Sequence, residues 1–146
     1  MTEIIIIRHG ETEWNKTGRF QGHSDVPLSG EGRAQAEALG RNLVLDHADA
    51  IYASDLTRAI ETATPLAKRF GLTVMPDPLL RELNFGAWEG RNFQDVNAES
   101  PDAMKRFYSD PERVDIPNSE PFPVFQKRVA GRVREIVRAH QGKRIV

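Results

Sequence analysis

The residues Arg8, His9 and Gly10 follow directly on a run of four isoleucines at residues 4–7. An arginine offers a planar fork of N–H donors to phosphate or carboxylate, and a histidine supplies a nucleophile or an acid–base group. A glycine lets the backbone turn close to a ligand. These residues therefore predict an anion-binding pocket with a reactive imidazole, although a surface loop with a solvated arginine fits the tripeptide equally well.

Two further stretches carry side chains that could share this pocket. Arg58 lies in the first turn of a predicted helix that follows a second strand, and Glu82 lies in a stretch, residues 80–90, where charged and large apolar residues alternate. A glutamate buried among such neighbours would favour its protonated form and could donate a proton. Glu89 competes for that role, and Arg58 could equally be an exposed helical side chain.

The elements around these residues follow the order strand, helix, strand, helix, strand. Short apolar runs at residues 4–7, 49–53 and 72–75 are separated by residues with helical spacing. The unbroken isoleucine run predicts a central strand that is buried on both faces. This order predicts an α/β fold of three layers (α/β/α) with a mostly parallel sheet, in which ligands bind beyond the carboxyl ends of the strands.

Local signals predict where the helices begin and how they continue. Ser29 is a natural N-cap for a helix of about four turns. Ser54 and Asp55 should cap the helix that carries Arg58, and Pro65 within that helix should kink it, or end and restart it. The last helix carries a basic face that we expect to be solvated, formed by Lys127, Arg128, Arg132, Arg134 and Arg138.

The composition excludes several classes of function. The chain of 146 residues carries 20 Lys and Arg against 21 Asp and Glu, so it lacks the field that draws proteins to nucleic acid or to an anionic membrane. It has no cysteine, which excludes disulfides and fits a cytoplasmic protein. The length predicts a single domain over residues 1–146. His23 and Asp25 have no third ligand nearby, so we expect neither a metal nor a cofactor.

Several short motifs stand in one order along residues 4–90: Arg8-His9-Gly10-Glu11-Thr12, Phe20-Gln21-Gly22, Pro27-Leu28-Ser29, Tyr52-Ala53-Ser54-Asp55, Arg58-Ala59, Leu80-Arg81-Glu82 and Trp88-Glu89-Gly90. Together they resemble the histidine phosphatase superfamily, also called phosphoglycerate-mutase-like. The resemblance implies that His9 is the transiently phosphorylated nucleophile, that Arg8 and Arg58 bind phosphate, and that Glu82 is the proton donor. It further implies substrate-lining roles for Asn15, Gln21 and Gly22.

The activity implied by this resemblance is a metal-independent phosphatase that hydrolyses small phosphomonoesters through phosphohistidine. The positive charges of Arg8 and Arg58 would keep His9 neutral and able to attack. Residues 85–90 are more similar to the short phosphatase branch, which includes α-ribazole phosphatase-like enzymes, than to the mutases. The alternatives are an isomerase that moves phosphate within a phosphoglycerate and a phosphate-binding module without turnover. In each case the partner is a small phosphorylated metabolite.

The chain departs from the family pattern in two places. Relatives carry a Gly-Glu-Ser stretch where this chain has Pro117-Asn118-Ser119-Glu120-Pro121, which leaves the substrate contacts of this region open. In the family, the strand that begins at Arg144 leads to a second His-Gly motif, whereas this sequence ends at Val146. We therefore expect a chain truncated before the last strands, with an exposed strand edge through which it associates as a homo-oligomer.

Overall fold

The computed structural model describes residues 1–146. The helices are α1 (Glu13–Lys16), α2 (Gly30–Asn42), α3 (Thr57–Phe70), α4 (Phe93–Glu99), α5 (Pro101–Ser109) and α6 (Phe122–Ala139). The strands are β1 (Glu3–Ile4), β2 (Ile51–Ala53), β3 (Val74–Pro76) and β4 (Arg144–Ile145). None of the helices combines the length and the hydrophobicity that crossing a bilayer requires.

The four strands form two parallel pairs. β1 pairs with β4, and β2 pairs with β3. A parallel bridge between Ala50 and Ile145 joins the pairs, together with a hydrogen bond of 2.9 Å from the Tyr52 N–H to the Val146 carbonyl. The strands thus follow one another in the order β1, β4, β2, β3, and the predicted mostly parallel sheet is confirmed.

Helices cover both faces of this sheet. Ile51 is 1% exposed and packs with Leu66 of α3, whereas the preceding residue, Ala50, packs with Ile136 of α6 and with Ile145. Successive side chains of a strand point to opposite faces, so this alternation places α3 and α6 on opposite sides. α2 packs along α3. The predicted three-layer arrangement is therefore confirmed.

A second, aromatic cluster lies beside the sheet. Its buried members are Phe20, Trp88, Val96, Met104 and Ile116. The Phe20 ring lies 5.1 Å from the Trp88 ring and 4.4 Å from the Phe93 ring, in the tilted and edge-on arrangements that aromatic pairs favour. The cluster packs α4 and α5 against the segment between β1 and α2, which fixes that segment at the carboxyl ends of the strands.

The prediction of a central isoleucine strand buried on both faces is wrong. β1 covers only Glu3–Ile4, and the side chains of Ile4 and Ile6 are 39% and 88% exposed. β1 is hydrogen-bonded along one edge only, to β4, so it is an edge strand and not a central one. The four isoleucines line an open cleft, and of them Ile7 packs against the cluster that contains Leu66 of α3.

One of the two predicted helix caps is found. Ser29 caps α2 through its side chain, as predicted. Ser54 and Asp55 do not cap α3, and that prediction is wrong. The α3 terminus is capped instead from a distant loop, because Asp25 accepts hydrogen bonds from the Thr57 N–H at 2.7 Å and from the Thr57 hydroxyl at 2.8 Å.

α3 runs through Pro65 as one helix, so it does not end and restart there. The proline ring packs against α2 at Gly40, where an added Cβ would lie 2.8 Å from the Pro65 Cβ. This close approach of the two helices stabilises the turn that contains the proline, since tertiary packing supplies more of a helix's stability than propensity does.

The basic face of α6 is only partly solvated, which corrects the prediction. Arg128 pairs with Glu120 at 2.7 Å, and Arg132 pairs at 2.5 Å with Asp77, which is 7% exposed. The other three members of the face are exposed. α6 packs on the segment that follows β3, so its two inward arginines reach acceptors that the helical pattern alone does not reveal.

Candidate functional site

A cleft with a volume of about 440 Å³ runs between β1, α3 and α6. Most of its lining is apolar, but the residues that follow β1, β2 and β3 give it a charged end. The charged and imidazole side chains of this end are Arg8, His9, Arg58, Arg81 and Glu82. The structure thus brings the four predicted catalytic residues into one cleft.

His9 presents a free ring nitrogen. Its Nδ1 lies 2.7 Å from the Gly10 carbonyl oxygen, and because a carbonyl can only accept, Nδ1 carries the proton. Burial lowers the pKa of His9, and the positive charges of Arg58 and Arg8 lower it further, against the opposing effects of the Gly10 carbonyl and Glu82. The neutral ring therefore keeps an unprotonated Nε2, which is the form that attacks an electrophile.

Thr62 joins the His9 loop to α3. The Gly10 N–H donates to the Thr62 hydroxyl at 2.9 Å, and that hydroxyl donates to the Arg58 carbonyl at 2.7 Å. Thr62 is 6% exposed, so this link is shielded from water. Its position four residues after Arg58 places Thr62 on the same face of the helix, which is the one signal in the sequence for this link.

Arg58 is buried, with 3% of its surface exposed, so the alternative of an exposed helical side chain is wrong. It donates to the Ser24 carbonyl at 2.9 Å and to the Gly22 carbonyl at 2.7 Å. Burial lowers the pKa of Arg58, while the negative charges of Glu82, Asp25 and Glu89 oppose that effect. Guanidinium groups remain protonated in proteins, so Arg58 is a buried cation beside His9.

Glu82 and Arg8 are exposed, in contrast to Arg58. Burial among apolar side chains, the condition under which the sequence favours a protonated Glu82, is not found. Its neighbours Phe85 and Trp88 turn into the aromatic cluster, and the Glu82 carboxylate is left at the cleft, where it accepts a hydrogen bond of 2.7 Å from the Leu83 N–H. An exposed carboxylate at the mouth of a cleft can still exchange a proton with a bound molecule.

Glu89, the other candidate for the proton donor, has its carboxylate hydrogen-bonded to backbone N–H groups. Its carboxylate accepts from the N–H groups of His23, Ser24 and Phe85 at 2.8, 2.8 and 3.1 Å. Glu89 does not line the cleft, whereas Glu82 does. The geometry therefore favours Glu82 as the carboxyl group that meets a ligand.

The three residues predicted to line the substrate site are bound to other parts of the chain. The Asn15 Oδ1 accepts from the Thr12 N–H at 2.9 Å, and the Gln21 Oε1 accepts from the Thr12 hydroxyl at 2.7 Å. The Gly22 carbonyl binds Arg58. None of the three belongs to the cleft lining, so their contact with a substrate stays a prediction.

Arg128 is a residue near the site that sequence analysis missed. It donates to the carbonyls of Leu79 at 2.8 Å and Arg81 at 3.0 Å, and it pairs with Glu120. These bonds hold the segment that carries Glu82 against α6. No group of three or more His, Cys, Asp or Glu side chains that could hold a metal ion is found in the chain.

Comparison with known proteins adds to this geometry. The sequence model of the histidine phosphatase superfamily (branch 1) matches residues 4–146. Phosphoserine phosphatase 1 of Hydrogenobacter thermophilus is 33% identical over 146 residues, which are 100% of this chain and 69% of that protein. Phosphoglycerate mutase-like protein 4 of Arabidopsis thaliana is 39% identical over 150 residues, which are 99% of this chain and 64% of that protein.

Solved structures agree with these sequence matches. The crystal structure of the α-ribazole phosphatase from Shigella flexneri superposes with a TM-score of 0.83 at 30% identity, and the match covers 99% of this chain and 70% of that one. The likeness extends past residue 90, where the motifs become weaker. The chain spans about two thirds of the length of the relatives that it matches.

Proposed function

The chain belongs to the histidine phosphatase superfamily, and from that premise we propose that it hydrolyses small phosphomonoesters through a phosphohistidine formed on His9. The observation that carries the proposal is the cleft in which the free Nε2 of His9 meets two arginines and a carboxyl group. A phosphomonoester is an anion, and transfer spreads its charge over the equatorial oxygens. Arg58 and Arg8 are the groups that stabilise this charge.

In the first step the Nε2 of His9 attacks the phosphorus atom and the bond from phosphorus to the ester oxygen breaks. Glu82 gives its proton to the departing alkoxide, so the alcohol leaves neutral and Glu82 becomes a carboxylate. Arg58 is already oriented by the carbonyls of Gly22 and Ser24, so no reorganisation of this cation is needed at the moment of transfer.

In the second step water attacks the phosphorus atom of phosphohistidine. The Glu82 carboxylate takes a proton from that water, the bond from phosphorus to Nε2 breaks, and inorganic phosphate leaves. His9 returns to its neutral form with the proton on Nδ1. The cycle uses only side chains of this chain, the ester and water.

The names of the relatives support a small substrate. One relative is named as a phosphoserine phosphatase and another as an α-ribazole phosphatase, and both names describe phosphomonoesters of small alcohols. We propose that the partner of this chain is likewise a small phosphorylated metabolite, and that the enzyme works in the cytoplasm, where a chain without cysteine needs no oxidising environment.

The experiment is to trap the intermediate. A chain incubated with a ³²P-labelled phosphomonoester and quenched rapidly should carry an acid-labile, base-stable label, which mass spectrometry should locate on His9. His9→Asn should abolish the label, and His47→Asn, which alters an exposed histidine, should keep it. A label on serine or aspartate would refute the assignment.

A second candidate function is mutase activity, which the 39% identity to a phosphoglycerate mutase-like protein favours. A mutase returns the phosphoryl group to a bound glycerate, whereas a hydrolase passes it to water. With 3-phosphoglycerate as substrate, we expect inorganic phosphate and glycerate. Conversion to the 2-isomer with little free phosphate would establish the mutase instead.

A further inference from the structure

The carboxylate of Glu89 is saturated with hydrogen bonds from two segments of the chain. Its Oε1 accepts from the N–H groups of His23 at 2.8 Å and Phe85 at 3.1 Å. Its Oε2 accepts from the N–H of Ser24 at 2.8 Å and from the Ser24 hydroxyl at 2.6 Å. An ionised carboxylate offers about four lone-pair sites, so all of them are used. Glu89 thus holds residues 22–24 to the segment that follows Glu82.

The opposite side of the same loop holds Arg58. The carbonyls of Gly22 and Ser24 accept from the two terminal nitrogens of its guanidinium. The peptide unit between Gly22 and His23 therefore has its carbonyl on the Arg58 cation and its N–H on the Glu89 anion. The dipole of this peptide unit is aligned between the two charges, which strengthens both hydrogen bonds.

Gly22 is the residue that permits this arrangement. Its φ of +54° lies in the left-handed region that favours glycine. An added Cβ would overlap the Glu89 Oε1 and would lie 2.8 Å from the Leu83 carbonyl oxygen. The close approach of the loop to Glu89 is therefore possible only without a side chain at this position.

These contacts determine the orientation of the whole guanidinium. Two of its five N–H groups are bound to the loop carbonyls, which leaves three for a ligand. Because the group is planar, fixing two of its bonds also fixes the directions of the other three. Any change that releases residues 22–24 would let Arg58 rotate away from its ligand-binding orientation.

We propose that Glu89 is a positioning residue, which fixes Arg58 for phosphate binding through the backbone of residues 22–24. The proposal rests on the proposed function, because it takes Arg58 as a phosphate ligand. Glu89 does not belong to the cleft lining that contains His9. Its effect on the reaction passes through Arg58, which Glu89 orients through the loop and attracts by its negative charge, so removing Arg58 should remove the effect.

The experiment measures the affinity of the chain for inorganic phosphate by isothermal titration calorimetry, in a double-mutant cycle. Glu89→Gln places an amide NH₂ where the loop also presents N–H donors, and we expect phosphate affinity to fall about tenfold. In an Arg58→Ala background the same substitution should change the affinity less than twofold. Glu61→Gln is the matched control, because Glu61 also accepts a backbone N–H, from Leu28 at 2.7 Å, and pairs with Arg33 without contacting residues 22–24.

Each outcome has a distinct meaning. An equal loss in both backgrounds, or an unchanged affinity in folded Glu89→Gln, would overturn the positioning role and leave the proposed function intact. If the unsubstituted chain bound no phosphate, the proposed function would fail and this inference with it. Should Glu89→Gln not fold, the decision passes to Ser24→Ala, which removes only the 2.6 Å hydroxyl bond and should weaken phosphate binding two- to threefold. Unchanged affinity there would overturn the proposal.

Discussion

The two arginines of the site are held in opposite ways. Arg58 is 3% exposed and bound to two carbonyls, while Arg8 is exposed at the end of the isoleucine run. The proton donor proposed here, Glu82, belongs with Arg8, since it is exposed and its carboxylate binds only the next residue's N–H. One side of the site is thus held by buried hydrogen bonds, and the other side is exposed to solvent.

This difference has an energetic consequence. A buried cation with fixed geometry acts in a medium that screens it weakly and loses no conformational entropy on binding. An exposed arginine or glutamate is screened by water and pays up to about 2 kcal/mol of side-chain entropy when it becomes ordered. The buried side should therefore supply most of the affinity and charge stabilisation, and the exposed side should act on the leaving group.

The largest expected effect tests this division directly. Arg58→Ala should lower kcat/KM for p-nitrophenyl phosphate by about 10²–10³, the usual cost of losing one preorganised donor. Arg8→Ala should lower it only about tenfold, because the interactions of an exposed charge are screened. Arg41→Ala, which alters an exposed arginine on α2, is the control. Equal losses for the two site arginines would refute the comparison.

The next effect concerns the exposed side of the site, which carries Glu82. Glu82→Gln should slow the hydrolysis of an alkyl phosphate about 10²-fold, because an alkoxide needs a proton to leave. An aryl phosphate should be affected much less, since p-nitrophenolate leaves without one. Steady-state rates of the variant and the unsubstituted chain, measured with phosphoserine and with p-nitrophenyl phosphate, give the loss of rate on each type of ester. A loss of the same size on both substrates would remove Glu82 as the acid.

A smaller effect should come from Arg128, which supports the Glu82 segment from α6. Arg128→Ala removes the bonds to the carbonyls of Leu79 and Arg81, and we expect turnover of the alkyl ester to fall about tenfold. Arg134 is an exposed arginine on the same helix, and Arg134→Ala should leave turnover unchanged. If Arg128→Ala weakened phosphate binding as strongly as it slowed turnover, the two sides of the site would not be independent.

The fold was predictable where a signal is local. Ser29 caps the helix that follows it, and the order of apolar runs gave a three-layer α/β arrangement. The cap of α3 was not predictable, because Asp25 lies 32 residues before Thr57 and no local pattern connects them. The burial of the isoleucine run also depends on which strands lie beside it, and the sequence of the run contains no such information.

In the site, too, local signals were predictable and contacts between distant residues were not. The placement of His9 and Arg58 in one cleft was predictable because each comes after a strand, and the carboxyl ends of parallel strands meet at one edge of the sheet. Their roles in the reaction rest on the family resemblance. The contacts of Arg128 reach carbonyls 47 and 49 residues away, and an amphipathic pattern does not show which arginine turns inward. Glu82 is exposed because its aromatic neighbours Phe85 and Trp88 pack into a separate cluster and do not cover it.

The smallest expected effect concerns the pKa of His9. Burial and the positive charges of Arg58 and Arg8 lower this pKa from 6.5, so His9 should stay neutral and reactive to a lower pH than a free histidine. Of the two positive charges, that of Arg58 has the larger effect, so Arg58→Ala should raise the pKa of His9. His9 would then become protonated, and lose its reactive neutral form, at a higher pH. Arg8→Ala should raise it less.

The ring protons of His9, followed by NMR through a pH titration of the unliganded chain, report this pKa without interference from the titration of the substrate. His47, which is exposed, is the internal reference in the same spectra. The ordering of the two variants is the decisive result, because it compares a buried charge with an exposed one at a single imidazole. A larger rise in Arg8→Ala than in Arg58→Ala would show that exposure does not weaken the influence of Arg8 on the nucleophile.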